Sequence, residues 1–168
     1  YLLDADLAKL RSLQTVIVAG EACPLALVEL HRTRLPETRL FNEYGPTEAS
    51  VWSTVADCLK SAAEAASIGR PIPGSRVYVL NDALEPQPIG VAGEIAIGGP
   101  GVATGYRNDT ELTARRFGAD PFSNNGRDRL YLTGDRGRFH ANGLLEFLGR
   151  SDDQVKIRGH RIELGEIE

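Results

Sequence analysis

TVIVAGEACPLALVELHRTRLPETRLF, residues Thr15–Phe41, sets the architecture of this chain. Thr15–Ala19 is a short β-branched run that stops at Gly20, the pattern of a buried strand. Pro24 stands where a first helical residue tolerates a missing N–H, and Leu27, Val28, Leu30 and Leu35 follow as a helix. Pro36 ends the helix, and Thr38–Phe41 makes the next strand. A strand–helix–strand unit with a ligand-like loop after each strand implies an α/β layer. Upstream, Leu3, Leu7 and Leu10 recur at helical spacing within Leu2–Leu13.

Downstream the pattern changes. Arg76–Leu80 alternates with period two, Asn81-Asp82 offers a turn, and Gly93–Ile97 resumes strand spacing. Tyr131–Thr133, Gly137–His140 and Leu144–Leu148 read as further short strands, with Asn142-Gly143 as a hairpin turn. Asp109–Phe117 reads as the one helix of this half, and Ser61–Ser67 as an Ala-rich surface stretch. Many short strands joined by Gly/Pro turns imply a small antiparallel, barrel-like subdomain packed on the α/β layer, α+β overall. Gln154–Arg158 alternates like a strand, and Gly159 permits a reversal before Arg161–Glu163.

Composition bounds the function classes. A length of 168 residues with 42% hydrophobic and 25% charged residues supports a real core and excludes wholesale disorder. A formal charge of −4 without a basic run argues against nucleic acid or anionic membrane as a main partner. No apolar run is long enough to cross a bilayer, and no signal peptide is visible. Cys23 and Cys58 lie far apart, without a CxxC or a His cluster. That spacing argues against a disulfide framework or a zinc site and fits a reducing cytoplasm. The chain contains no Met and starts inside an apolar pattern, so it reads as an internal piece of a longer protein.

Three segments carry chemistry. In NEYGPTE (Asn42–Glu48) a strand ends at Phe41 and a Gly-Pro turn gathers an amide, an aromatic face, a hydroxyl and a carboxylate. Such a set can stack a base, bond a phosphate oxygen and hold a hard cation. GEIAIGGPGVATGY (Gly93–Tyr106) is Gly-rich but fits neither GxGxxG nor GxxxxGK[ST], so it reads as a strand entering a tight turn. In YLTGD (Tyr131–Asp135) a carboxylate follows Thr133-Gly134 at a strand end, where two oxygens can grip a vicinal diol. His31, His140 and His160 read as surface or rim residues, with no Ser or Cys partner at triad spacing.

In this order, and followed by SDDQVKIRGHRIELGEIE (Ser151–Glu168), these segments resemble the later core motifs of nonribosomal peptide synthetase adenylation domains, members of the adenylate-forming, AMP-binding enzymes. The resemblance runs from about Thr15 onward. It implies that residues 1–151 are the C-terminal portion of the large adenylation core, with 1–60 α/β and about 70–151 barrel-like. Residues 152–168 would be the hinge and the start of the small C-terminal subdomain. ATP and Mg²⁺ would be used, and a peptidyl carrier domain bearing phosphopantetheine would receive the activated amino acid.

Carried residue by residue, Asn42 would bond the adenine amino group and Tyr44 would stack on the ring. The loop Gly20, Glu21 and Ala22 would cover the other face. Thr47 would touch the α-phosphate, Glu48 would help hold Mg²⁺, and Asp135 and Arg150 would reach the ribose. Asp152 would be the hinge, with Lys156 and Gly159 on a ribbon lining the pantetheine path. Ile17, Ala19, Glu43, Val51 and Trp52 fall on the amino-acid side-chain pocket, and Ala19, Glu43 and Val51 together are similar to some tyrosine-activating relatives.

Two positions depart from the pattern: Thr104 and Leu132 stand where relatives usually carry a basic residue. The resemblance also places the family's phosphate loop before Tyr1 and its late catalytic Lys after Glu168. The alternatives are an acyl- or aryl-CoA ligase of the same superfamily, or a non-catalytic adenylation-like module. A dinucleotide-binding oxidoreductase has the wrong glycine spacing.

Overall fold

The computed structural model of the chain describes residues 10, 12–151, 155–157 and 160–162. Its first layer is a four-stranded mixed sheet in the order β1-β2-β3-β4. β1 (Thr15–Ala19) pairs in parallel with β2 (Arg39–Tyr44), and α1 (Leu25–Arg34) connects them. β3 (Thr54–Asp57) and β4 (Arg70–Pro71) then add antiparallel. The expected strand–helix–strand unit is therefore present. β2, however, continues past Phe41 through Asn42, Glu43 and Tyr44. The ladder to β3 extends it, since Asn42, Glu43 and Tyr44 pair with Ala56, Val55 and Thr54. The turn begins only at Gly45.

Packing explains two further departures. Ser61–Ser67 contains a helical turn, α2 (Ala62–Ala65), in which the Ser61 side chain accepts from the Glu64 N–H as N-cap. Glu64, Ala65 and Ser67 are buried, so this stretch is not surface filler. His31 is 1% exposed rather than at a rim. Its Nε2 lies 2.8 Å from the Thr38 carbonyl, which can only accept, so the ring donates there. That bond ties the last turn of α1 to the entry of β2.

The second layer is an antiparallel sheet of β5 (Arg76–Leu80), β6 (Gly93–Gly98), β7 (Phe117–Ala119), β8 (Arg129–Phe139) and β9 (Leu145–Arg150). β6 lies along one side of β8, and β7 and β9 share the other side. Among the described strands this sheet is open and does not close into a barrel. The two short strands expected around Thr133 and Gly137 are one strand of 11 residues, kept continuous past register shifts. Thr133-Gly134-Asp135 is thus mid-strand, not a strand end. Asp109 caps α3 (Thr110–Arg116), its side chain accepting from the Leu112 N–H.

One core joins the layers. Ala49 and Ile68 from the first half pack with Val77, Val79, Ile95, Ile97 and Leu145 of the second sheet. Burying each large aliphatic side chain there contributes about 1.5–3 kcal/mol. The Ile68 N–H donates to Leu145 O and the Leu145 N–H to Gly69 O, both at 2.9 Å, so backbone bonds cross the same seam. A second cluster, Val28, Leu40, Cys58 and Ala65, lies under α1. β10 (Val155–Ile157) and β11 (His160–Ile162) form a separate antiparallel pair.

Candidate functional site

A cavity of about 560 Å³ opens along the seam between the two sheets. Its size suits a small organic ligand. The loop after β1 supplies Gly20, Glu21, Ala22 and Cys23 to its wall. β2 and its turn supply Asn42, Glu43, Tyr44 and Gly45, and the second sheet adds Asp135, Phe147, Gly149 and Arg150. Asn42 and Tyr44 share one face because side chains two apart on a strand point the same way.

The polar groups are held by the fold. Asn42 is 5% exposed and its Nδ2 donates to Ser67 O at 3.2 Å. That contact fixes the amide and turns its carbonyl oxygen into the acceptor of choice for a ligand N–H. The Tyr44 hydroxyl donates to Asp135 Oδ2 at 2.5 Å, and Arg150 Nη1 donates to Asp135 Oδ1 at 2.6 Å. Arg150 Nη2 reaches Thr133 O at 3.2 Å, and the Thr133 hydroxyl accepts from the Asp135 N–H at 2.9 Å. Asp135 and Arg150, both expected at the ribose, are thus also joined to each other. The Tyr44 ring sits 6.1 Å from that of Phe147, at 43°.

Burial, and then the charge and hydrogen bond of Asp135, hold the Tyr44 phenol well above the usual tyrosine range. The folded phenol therefore keeps its proton more tightly than the unfolded one. Its contribution to stability is intact below about pH 10 and declines as the pH rises further. Urea unfolding between about pH 8 and 11 should show that decline, and Tyr44→Phe should flatten it.

After β2 and Gly45, Pro46 leads into a 3-10 turn, Thr47–Ala49. Glu48 is 7% exposed and its Oε1 accepts from the Tyr106 hydroxyl at 2.7 Å. The Ala103 N–H donates to Glu48 O, and the Ser50 hydroxyl donates to Gly101 O, both at 2.8 Å. The Gly-rich stretch thus buttresses this turn rather than cradling a ligand. Thr47 is exposed, and neither Thr47 nor Glu48 lines the cavity. After the turn Ser50 and Val51 adopt left-handed backbone, with φ of 59° and 70°. For a β-branched residue that conformation costs about 1–2 kcal/mol. Val51→Gly should raise the stability of the chain by about 1 kcal/mol in chemical denaturation.

The substrate-pocket positions are only partly brought together. Ala19 and Glu43 are register partners across the β1–β2 pair. Ile17, Val51 and Trp52 are 54%, 62% and 46% exposed and do not line the cavity. Asp152 and Gly159 lie outside the described residues. The backbone of Lys156 pairs with Arg161 in the β10–β11 ladder. Sequence reading missed Cys23, Gly45, Ala65, Ala66, Ser67, Ile68, Phe147 and Gly149 as wall residues. Only Ser61, an N-cap residue with Glu64 three positions on, marked α2 and hence the Ala65–Ser67 wall.

A family model described as AMP-binding enzyme matches residues 2–107. The chain belongs to the AMP-binding enzyme family. A linear gramicidin synthase of Brevibacillus parabrevis is 54% identical over 165 residues, 98% of this chain and 2% of that protein. Tyrocidine synthase 3 of the same organism is 46% identical over 156 residues, 93% of this chain and 2% of that protein. This AMP-binding chain therefore spans only a few per cent of the length of these curated relatives. Among solved structures it resembles PA1221, an NRPS protein containing adenylation and PCP domains. The TM-score is 0.87 at 34% identity, covering 99% of this chain and 34% of that one. The likeness supports a partial adenylate-forming fold. No described helix is long and apolar enough to cross a membrane.

Proposed function

We propose that this chain is the adenosine-holding part of an amino-acid-activating adenylation domain in a nonribosomal peptide synthetase. One observation carries the proposal. Tyr44 and Asp135 are 91 residues apart in sequence, yet they are bonded to each other on one cavity wall beside Asn42 and Arg150. The Asn42 carbonyl accepts the adenine amino group, and Tyr44 with the Gly20–Ala22 loop flanks the ring. Asp135 is the diol acceptor for the ribose, with Arg150 holding its second oxygen. Gly20 has φ +81°, a conformation that favours glycine, and an added methyl there would meet no protein atom within 4 Å. The backbone conformation, rather than crowding by the protein, calls for glycine.

The reaction is attack of the ionised substrate carboxylate on the α-phosphorus of ATP, with pyrophosphate leaving and aminoacyl-AMP formed. No protein nucleophile is needed, so alignment and electrostatics carry the rate. Thr47 is the hydroxyl for the α-phosphate. Among the described residues no group of three His, Cys, Asp or Glu could cage a metal. The donor set still fits Mg²⁺, which commonly takes one or two carboxylates and fills the rest with phosphate and water. Glu48 is that carboxylate, and Tyr106 holds its side chain. When bound, the ion offsets phosphate charge.

The activated acid then passes to a phosphopantetheine thiol on a carrier domain, with Asp152 as hinge and Lys156 and Gly159 on the moving ribbon. The likeness to an NRPS protein that contains adenylation and PCP domains supports a carrier thiol over CoA as acceptor. Glu43, beside Ala19, would accept a hydrogen bond from a phenolic substrate, pointing to tyrosine. Faster pyrophosphate exchange with Val than with Tyr would remove that assignment. Asn42→Ala in the full-length protein should raise the KM for ATP about tenfold, the loss of one hydrogen bond. The KM for the amino acid should stay fixed. Equal effects on both would argue against the adenine role.

A further inference from the structure

The chain has two cysteines, and the fold brings them together. Cys58 is 0% exposed, at the end of β3, where its N–H donates to Leu40 O at 2.9 Å. Cys23 lies in the loop after β1, packs against the cluster that contains Cys58, and lines the cavity. Both are free thiols, with Cys23 packed on the cluster that buries Cys58, whose Sγ lies 3.9 Å from Ala56 O. Solvent in the cavity reaches Cys23, while Cys58 is covered. We propose that Cys23 is a site of reversible oxidation by peroxide, with Cys58 as the resolving thiol that closes an intramolecular disulfide.

The two sulfurs are unequal in the sense this chemistry needs. The neighbouring Cys58 side chain draws the Cys23 thiol down to about 7, against the opposing effect of burial. The Cys23 side chain, with burial and the nearby charge of Asp57, pushes the Cys58 thiol well up. Cys23 is therefore the attacking thiolate near neutral pH, and Cys58 keeps its proton. The Cys23 sulfur attacks one peroxide oxygen, the O–O bond breaks, and hydroxide leaves, giving a sulfenic acid. The Cys58 sulfur then attacks the Cys23 sulfur. The S–S bond forms, the S–O bond breaks, and hydroxide departs with the Cys58 proton as water. Overall, two thiols and one hydrogen peroxide give one disulfide and two waters, and a dithiol reverses it. The bridge would tie the Gly20–Cys23 wall of the cavity to the end of β3, whatever ligand the cavity takes.

The test is peptide mapping by mass spectrometry after graded hydrogen peroxide, with dimedone present to trap sulfenic acid. The expected result is loss of both thiols together and a linked Cys23–Cys58 peptide lighter by two hydrogens. That peptide should disappear on adding dithiothreitol. Cys58→Ser should divert the reaction to a dimedone adduct at Cys23, and Cys23→Ser should leave Cys58 unreacted. Persistence of both thiols in the wild-type chain would overturn the proposal. So would sulfinic acid at Cys23 beside an intact Cys58, or linkage between two chains.

Discussion

Asp135→Ala should lower kcat/KM for ATP about 10²–10³-fold in the full-length protein, the loss expected for two charge-assisted hydrogen bonds. The carboxylate is 4% exposed, bonded by Tyr44 on one oxygen and Arg150 on the other. Removing it also takes the ion-pair partner from Arg150, whose side chain is only 14% exposed, at a cost of about 3–5 kcal/mol in stability. The two effects separate by variant. Asp135→Asn keeps the shape and most of the packing, so its ATP defect should exceed what its unfolding midpoint explains. Steady-state pyrophosphate exchange with ATP varied, beside urea denaturation of the same samples, reads both. A variant with unchanged ATP kinetics would remove Asp135 from the nucleotide site.

Gly45→Ala should be the most disruptive small substitution in the turn after β2. A methyl there would stand 2.6 Å from Val51 O and 2.8 Å from the Ser53 N, both backbone atoms. Neither can rotate away, because the Val51 N–H is bonded to Pro46 O and the Ser53 N–H to Tyr44 O. Overpacking against backbone costs about 3 kcal/mol. The turn must open to relieve it, displacing Thr47 and pulling Glu48 from its support by Ala103 and Tyr106. Urea midpoints should fall, and adenylation should fall further than stability alone dictates. A midpoint within error of wild type would show that the turn is softer than these contacts require.

Much of this was legible in the sequence, for identifiable reasons. β1, α1 and β5 announce themselves through β-branched runs, flanking prolines and period-two alternation. The motif residues Asn42, Tyr44, Asp135 and Arg150 meet on one wall. Long-range pairing hid the rest. Phe41 reads as a strand end because Asn42 is polar, but the ladder to Ala56 carries the strand on. Gly134 suggests a turn inside Tyr131–His140, yet β6 and β9 flank β8 and hold it extended. Ser61–Ser67 has no apolar stripe; Ala65 is buried by packing with Val28, Leu40 and Cys58, and Glu64 is held by Arg70 at 2.6 Å. The packing of Cys23 against the cluster around Cys58 left no spacing signal at all, since only the fold brings the loop after β1 onto that cluster.

The most direct measurement is photo-crosslinking of the full-length protein with 2-azido-ATP, followed by mapping of the labelled peptides. Label should fall on the peptides carrying Tyr44, Gly20–Cys23 or Ala65–Ile68, and excess unlabelled ATP should suppress it. A second, more open groove is lined by Tyr106, Arg107, Thr113 and Arg129. Saturable labelling there, with the Tyr44 and Gly20–Cys23 peptides clean, would contradict the assignment of the seam cavity to adenosine.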